Sequence, residues 1–224
     1  MIQVLFSKAQ KYNNFLIINV AFFYVVGIIL HIIPWTLETM KWLTPFVLFF
    51  FGFLSLFMSG LWSKPRFLIW LALCFVMTLV LEIVGVATSM VFGSYYYGEV
   101  LGYKFFEVPL VIGLNWVVVI LGFLQFSIFL FKNPVLRALT AAILSLGFDF
   151  IMEPVAVNLG YWTWDNGIIP LQNYLAWFMI ALVFSFFYLA FVRTEHESGK
   201  NFPCYYVAFQ CVFFIALRIG YLVL

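Results

Sequence analysis

Three acidic residues inside apolar stretches are the side chains of this sequence that could do chemistry. Asp149 and Glu153 lie four residues apart, about one helical turn, and Glu82 lies in an earlier apolar run. Charged side chains are costly in hydrocarbon, so a carboxyl group there indicates a function. A desolvated carboxylic acid without a cationic partner keeps its proton at neutral pH and can act as a general acid. Asp149, Glu153 and Glu82 are therefore the candidate catalytic residues.

Each acidic stretch is followed by an aromatic turn. Tyr95 and Tyr97 follow Glu82, and Trp162 and Trp164 form part of the later turn. Aromatic faces stabilise a desolvated cation by about 2 kcal/mol or more. A proton donor beside such faces, reached from the lipid, meets the requirements for protonating an isolated carbon–carbon double bond. Water can capture the resulting tertiary carbocation to give an alcohol, or a second double bond can attack it to give a ring.

The residues alone leave three classes of function open. Besides an enzyme, intramembrane acids can bind protons or sodium in a transporter, or fix the interface of an assembly. Glu82 with Gly85 and Thr88 is also compatible with a close helix contact between small residues. The sequence contains no P-loop, dinucleotide fingerprint or metal-ligand spacing of His and Cys, so we predict neither a cofactor nor a metal.

Composition determines which elements must position these acids. The chain has 224 residues, of which 66% are hydrophobic and 9% charged, against about half and a quarter in soluble domains. We predict an all-α polytopic membrane bundle forming one domain over residues 1–224. A net charge of +2 without a basic cluster predicts no nucleic-acid partner. A span needs about 20 apolar residues, and the candidates are 15–33, 43–61, 67–92, 108–131, 136–158, 170–192 and 203–224.

The distribution of Lys and Arg predicts the orientation of the bundle in the cell's inner or plasma membrane. Basic residues concentrate in the N-terminal tail, with Lys8 and Lys11, and in the 62–66, 132–137 and 193–202 loops. By the positive-inside rule the N-terminus is cytoplasmic and the C-terminus lies on the opposite side. Both aromatic turns then face away from the cytoplasm. Glu82 and Asp149, eleven residues before their turns, lie roughly 16 Å inside their helices, near the membrane centre.

The acid–turn pattern occurs twice, which predicts a degenerate internal two-helix repeat with units at about 67–131 and 136–192. A site at the interface of such repeats is common in membrane folds. We therefore expect a cavity between the units that opens towards the lipid. The matched landmarks are Glu82 with Asp149, Gly93 with Gly160, Tyr95-x-Tyr97 with Trp162-x-Trp164, and Pro109 and Trp116 with Pro170 and Trp177.

Residues of about 82–180 also carry a family resemblance. They are Glu82-x-x-Gly85, Phe92-Gly93-x-Tyr95-x-Tyr97, Val108-Pro109 with Trp116, Asp149-x-x-x-Glu153-Pro154, Gly160-x-Trp162-x-Trp164 and Pro170-x-x-Asn173-x-x-Ala176-Trp177. With them the chain resembles the carotenoid biosynthesis family that contains the carotenoid 1,2-hydratases of the bisanhydrobacterioruberin and γ-carotene type. It is more distantly similar to membrane lycopene cyclases. It departs from the family at Glu153, where aspartate is usual, and at Glu107 and Ala176, where glycine is usual.

The resemblance implies a lipid-soluble substrate like lycopene, with acyclic ψ-end groups, dissolved among membrane lipids. Water would add across the terminal 1,2 double bond without a cofactor, and association with other carotenoid enzymes is a further expectation. A carotenoid cyclase remains the alternative enzyme because its first proton transfer is the same. A proton-coupled transporter remains the alternative of another class.

From this combined reading we assign expected roles to ten residues. Asp149 donates the proton with the assistance of Glu153, and Glu82 orients water or takes a proton back. Asn115 and Asn173 hold water by hydrogen bonds. The residues expected to line the cavity and face the cation are Tyr95, Tyr97, Trp162, Trp164 and Trp177.

Overall fold

Seven helices long and apolar enough to cross a membrane build the part of the chain that the computed structural model describes, residues 12–193 and 201–223. This confirms the predicted all-α polytopic fold. Lys8, Lys11 and Lys200, which contributed to the predicted orientation, lie outside the described residues. In chain order the helices are α1 (Asn13–Ile32), α2 (Pro34–Met58), α3 (Pro65–Thr88), α4 (Leu110–Leu130), α5 (Pro134–Asn158), α6 (Leu171–Phe187, continued by a π-helical turn, Tyr188–Val192) and α7 (Phe202–Val223).

The start of the second helix differs from the prediction. α2 begins at Pro34 instead of residue 43, and Pro45, expected near a helix start, lies inside it. Proline is tolerated at Pro34 because the first-turn amides have no intrahelical partner. Glu38 and Lys41, which precede the predicted start, form a pair one turn apart, with Lys41 Nζ 2.9 Å from Glu38 Oε1. The Lys41 segment is therefore helical.

Helix α4 is the centre of the bundle. It contacts α2, α3, α5, α6 and α7, and its buried residues lie around its whole circumference. The outer helices instead expose large apolar side chains such as Phe22, Phe50 and Ile143. An apolar exterior around a packed interior is the arrangement expected of a protein surrounded by lipid.

The two aromatic turns meet at the same end of the bundle. Within them, β1 (Tyr95–Tyr97) pairs antiparallel with β4 (Trp162–Trp164), with Tyr95 opposite Trp164 and Tyr97 opposite Trp162. A second short pair, β2 (Lys104–Phe105) and β3 (Val108–Pro109), lies in the first turn only. This agrees with the expectation that both turns share one face of the membrane.

Close backbone approach holds the two turns together. A Cβ on Gly98 would lie 2.1 Å from the carbonyl oxygen of Gly160, and one on Gly93 would lie 2.6 Å from Cγ of Pro170. Gly93 also has a φ of +107°, which side-chain-bearing residues rarely adopt. Glycine at these two positions therefore allows the first turn to pack onto the second.

Pro154, inside α5, disturbs the helix next to the acids. Proline lacks the N–H that would bond to the carbonyl four residues earlier, which here belongs to Phe150. Arg218 of α7 supplies a replacement, since its Nη1 donates to the Phe150 carbonyl oxygen at 3.2 Å. Its guanidinium also lies 5.1 Å from the centre of the Phe150 ring. Arg218 thus serves the backbone of α5.

Candidate functional site

A cavity of about 40 Å³ lies beneath the β1–β4 ribbon in the middle of the bundle. All ten of the residues selected from the sequence line it, although they come from four helices and both strands of the ribbon. Its wall includes Glu82, Tyr95, Tyr97, Asn115, Asp149, Glu153, Trp162, Trp164, Asn173 and Trp177. A cavity of this size has room for water but not for a carotenoid end group.

Glu153 is held by three N–H donors. The indole Nε1 atoms of Trp162 and Trp164 both donate to its Oε2 at 2.9 Å, and Nδ2 of Asn173 donates to its Oε1 at 3.1 Å. Neither an indole nor an amide readily gives up its proton. A carboxylate that accepts several N–H bonds is stabilised in its charged form. These three hydrogen bonds therefore favour the charged form of Glu153.

Asp149, one turn earlier on α5, is fully buried and much less satisfied. Its Oδ2 accepts a hydrogen bond of 2.8 Å from Asn173 Nδ2, the donor it shares with Glu153. Its Oδ1 has no partner among the described residues. Two neighbouring carboxyl groups in a low-dielectric site resist being charged together. Since Glu153 has the better donors, this arrangement favours the proton on Asp149.

Glu82, on α3, is bonded by hydroxyl groups. Tyr97 donates to Glu82 Oε2 at 2.7 Å, and Tyr95 donates to the same oxygen. Burial, with the nearby Glu82 carboxyl as the second cause, raises the pKa of Tyr95 and Tyr97. Both phenols therefore keep their protons at any ordinary pH and remain donors.

The period of the ribbon explains how each turn supplies two donors to one acid. Successive side chains of a strand point to opposite faces, so residues two apart share a face. Tyr95 and Tyr97 are buried and Tyr96 is exposed, and Trp162 and Trp164 are buried around exposed Thr163. The Tyr-x-Tyr and Trp-x-Trp spacings thus direct four polar aromatic groups towards the acids.

Basic residues do not neutralise these acids within the described part of the chain. Among the described residues, Lys41 pairs with Glu38 and Lys104 with Glu99. Lys104 also donates to the backbone carbonyl of Tyr97 at 3.0 Å, and Arg218 bonds to a backbone carbonyl. Among residues 12–193 and 201–223, Glu82, Asp149 and Glu153 form no salt bridge. Nor does any group of three His, Cys, Asp or Glu side chains in residues 12–193 and 201–223 come together as a metal site.

Trp177 contributes to the wall mainly by stacking. Its ring is 3.6 Å from that of Trp116, nearly parallel at 11°, and 5.0 Å from that of Phe92 at 19°. Stacked partners cover much of an indole surface, so less of it is free to face a cation. Trp162 and Trp164 donate to Glu153 and also pack against the rings of Tyr97 and Tyr95, with centroids 5.8 and 4.8 Å apart.

Four polar or aromatic residues of the wall were not among the site residues predicted from the sequence, namely Trp116, Tyr161, Gln210 and Phe214. Tyr161 lies 3.4 Å from Thr44 through their hydroxyl oxygens, Gln210 Nε2 donates to Asn115 Oδ1 at 2.8 Å, and Trp116 stacks on Trp177. Gln210 could have been predicted from the sequence, because an amide in the middle of an apolar span is costly unless it has a partner. Tyr161 was hidden among neighbouring aromatic residues.

Comparison with known proteins identifies the family. The profile of a family described as carotenoid biosynthesis protein matches residues 42–224. The chain belongs to this family. The match extends beyond the 82–180 stretch that carried the resemblance and includes most of α2 and all of α7. No curated protein and no solved structure matches the chain.

Membership of the family indicates an enzyme role in carotenoid synthesis. The seven apolar helices indicate an integral membrane protein. Both are compatible with a lipid-soluble substrate reached from the surrounding membrane lipid.

Proposed function

We propose that this protein is a carotenoid hydratase that adds water across the terminal 1,2 double bond of an acyclic, lycopene-like end group. The observation that carries the proposal is the difference in hydrogen bonding between Asp149 and Glu153 on α5. Asp149 has a buried carboxyl oxygen without a described partner, while its neighbour Glu153 accepts three N–H bonds. A carboxylic acid kept neutral beside a fixed carboxylate is a suitable proton donor in an apolar site.

The reaction begins with proton transfer from Asp149. The O–H bond of its carboxyl group breaks, and the two π electrons of the terminal double bond form the new C–H bond. The other carbon becomes a tertiary carbocation. The nearby Glu153 carboxylate and the rings of Trp162 and Trp164 stabilise this positive charge electrostatically.

Water completes the reaction. Its oxygen bonds to the cationic carbon, and one of its protons passes to a carboxylate, a role we assign to Glu82. Glu82 then passes this proton to Asp149, which restores both groups, so the net change is the addition of one water molecule. The amides of Asn115 and Asn173, together with the water-sized cavity, support capture by water over attack by a second double bond.

The test is pigment analysis in a bacterial host that makes lycopene. Expression of the wild-type protein should give a product heavier by one water molecule per modified end. A product of unchanged mass with shortened conjugation would instead identify a cyclase. If no new carotenoid forms but vesicles show substrate-dependent proton flux, the protein is a transporter and the proposal is wrong.

Two further features belong to the proposal. We assign the aromatic turns and the C-terminus to the non-cytoplasmic side and the N-terminus to the cytoplasm, on the basis of the Lys and Arg distribution. We also treat residues 67–131 and 136–192 as repeat units. The pairing of β1 with β4 and the donation of two aromatic groups to one acid in each unit support this division.

A further inference from the structure

A second cavity, of about 210 Å³, lies between α1, α2 and α7, next to the acid cavity. Its lining is almost entirely apolar and includes Val26, Leu30, Leu43, Val47 and Phe213. Two of its polar groups bond to the backbone of their own helices, since His31 Nδ1 lies 2.7 Å from the Gly27 carbonyl oxygen and the Thr44 hydroxyl donates to Met40 at 3.0 Å. The cavity therefore offers a surface suited to hydrocarbon.

The two cavities share a partition. Leu48, Tyr161, Gln210 and Phe214 line both of them. Gln210 has its Nε2 bonded to Asn115, which lines the acid cavity, and its Oε1 has no partner among the described residues. An apolar occupant of the larger cavity would thus lie next to the polar groups of the smaller one.

The two cavities differ in volume and can therefore hold different ligands. An apolar cavity of about 150 Å³ holds one benzene molecule, so 210 Å³ accommodates roughly eight carbon atoms. The acid cavity, at about 40 Å³, takes water only. Eight carbons are about the branched terminus of an isoprenoid chain, and a longer polyene would have to leave the cavity towards the lipid. Phe23 on its wall is 44% exposed, which places one side of the cavity at the outer surface of the bundle.

We infer that the cavity between α1, α2 and α7 binds the apolar end group of an acyclic polyene, and that its terminal double bond reaches the acids when the side chains of the partition, Leu48, Tyr161, Gln210 and Phe214, move aside. This inference rests on the proposed function and adds the location of the substrate. It also gives α1, α2 and α7 a common role, namely to enclose the hydrocarbon while α3 to α6 supply most of the chemistry.

The test measures pigment retention separately from turnover. Val47→Phe fills the cavity from α2, and Gly27→Leu fills it from α1, where a Cβ meets only Phe213, at 3.8 Å. Val25→Phe adds the same groups as Val47→Phe to a position that is 53% exposed on the outer side of α1, and serves as the matched control. Each is made in the Asp149→Asn background, which cannot turn over the substrate, and lycopene bound per purified protein is read from its absorbance.

Both filling variants should retain less lycopene by at least about tenfold, while Val25→Phe retains as much as the background protein. Equal retention by Val47→Phe, Gly27→Leu and the control overturns the inference, as does a background protein that retains none. Folding is checked by size-exclusion chromatography, and failure of one filling variant to fold leaves the other to decide. Failure of the proposed function is a different result, because the otherwise wild-type protein would then yield no hydrated carotenoid whatever its pigment retention.

Discussion

The two acidic regions of the cavity use similar architecture with different chemistry. In each, one carboxyl oxygen accepts bonds from two aromatic side chains that are two residues apart on a strand. Glu82 receives them from the hydroxyl groups of Tyr95 and Tyr97, whereas Glu153 receives them from the indole N–H groups of Trp162 and Trp164. Hydroxyl groups both donate and accept, and indoles only donate. The first region can therefore exchange protons, and the second holds a charge in place.

The two regions also differ in the position of the acid that accepts the aromatic hydrogen bonds, which lies one helical turn later in the second region. Asp149 precedes Trp162 by the same thirteen residues that separate Glu82 from Tyr95, yet Trp162 bonds to Glu153, four residues later. The second region thus keeps an acid at the position equivalent to Glu82 and adds another beneath the indoles. Asp149 is thereby left with a carboxyl oxygen that no described residue bonds. We propose that this extra acid makes the second region the proton donor.

The largest expected effect follows from removing that donor. Asp149→Asn keeps the shape of the side chain and leaves the neighbouring Asn173 unchanged. The amide has no acidic proton. General acid catalysis contributes about 10²–10⁴-fold, so formation of hydrated carotenoid in the lycopene-producing host should fall by that factor while membrane insertion is unchanged. Near-wild-type product from this variant would remove Asp149 as the acid.

Glu153→Gln should have the next largest effect. The amide lacks the negative charge that stabilises the carbocation, and its NH₂ group competes with the indole donors. We expect a loss of about tenfold to a thousandfold in turnover, as for loss of other electrostatic stabilisers, with protein yield close to wild type. A mild effect measured in the same pigment assay would assign Glu153 a structural role.

Removing one hydrogen-bond donor from Glu153 or from Glu82 is expected to lower turnover by different factors. Trp162→Leu removes an N–H bond to a charged carboxylate, which is worth about 1.5–3 kcal/mol, whereas Tyr97→Phe removes a weaker hydroxyl bond of about 0.5–1.5 kcal/mol. Turnover should therefore fall roughly 10- to 100-fold in the first variant and roughly 2- to 10-fold in the second. The reverse order would mean that Glu82 holds the essential charge and would exchange the roles of the regions.

The smallest effect concerns a feature of the first turn that the second lacks. Glu107 lies between β2 and β3 with a φ of +65°, in the left-handed region that costs a residue with a side chain about 1–2 kcal/mol. Glu107→Gly should therefore stabilise the protein by about 1 kcal/mol in denaturant titrations and leave turnover unchanged. A loss of activity would instead bring this turn into the site.

Much of the fold could be predicted from the sequence because a membrane span is a continuous run of apolar residues. Runs of about 20 apolar residues are hard to misplace, and Glu82, Asp149 and Glu153 were conspicuous within them. The start of α2 was missed because the apolar run from which the span was predicted begins only after Lys41. A helix segment that carries a charged pair on its exposed face has the same amino-acid composition as a loop.

The contacts of the site depended on information that the sequence does not display. The Tyr95-x-Tyr97 and Trp162-x-Trp164 spacings were recognised, but strands of three residues each were too short for their pairing to be predicted. Gln210 and Leu48 reach the site through the packing of α7 and α2 onto α4. Likewise, only the three-dimensional arrangement gives Asn173 two acids to bridge and assigns Arg218 to the Phe150 carbonyl.

The central claim is that Asp149 holds a proton at neutral pH, and infrared spectroscopy tests it most directly. The carbonyl stretching band of a protonated carboxylic acid should be present in the wild-type protein at neutral pH, should persist in Glu153→Gln, and should disappear in Asp149→Asn. If Asp149→Asn loses only the bands of an ionised carboxylate, Asp149 is charged in the resting protein and the proposed mechanism is contradicted.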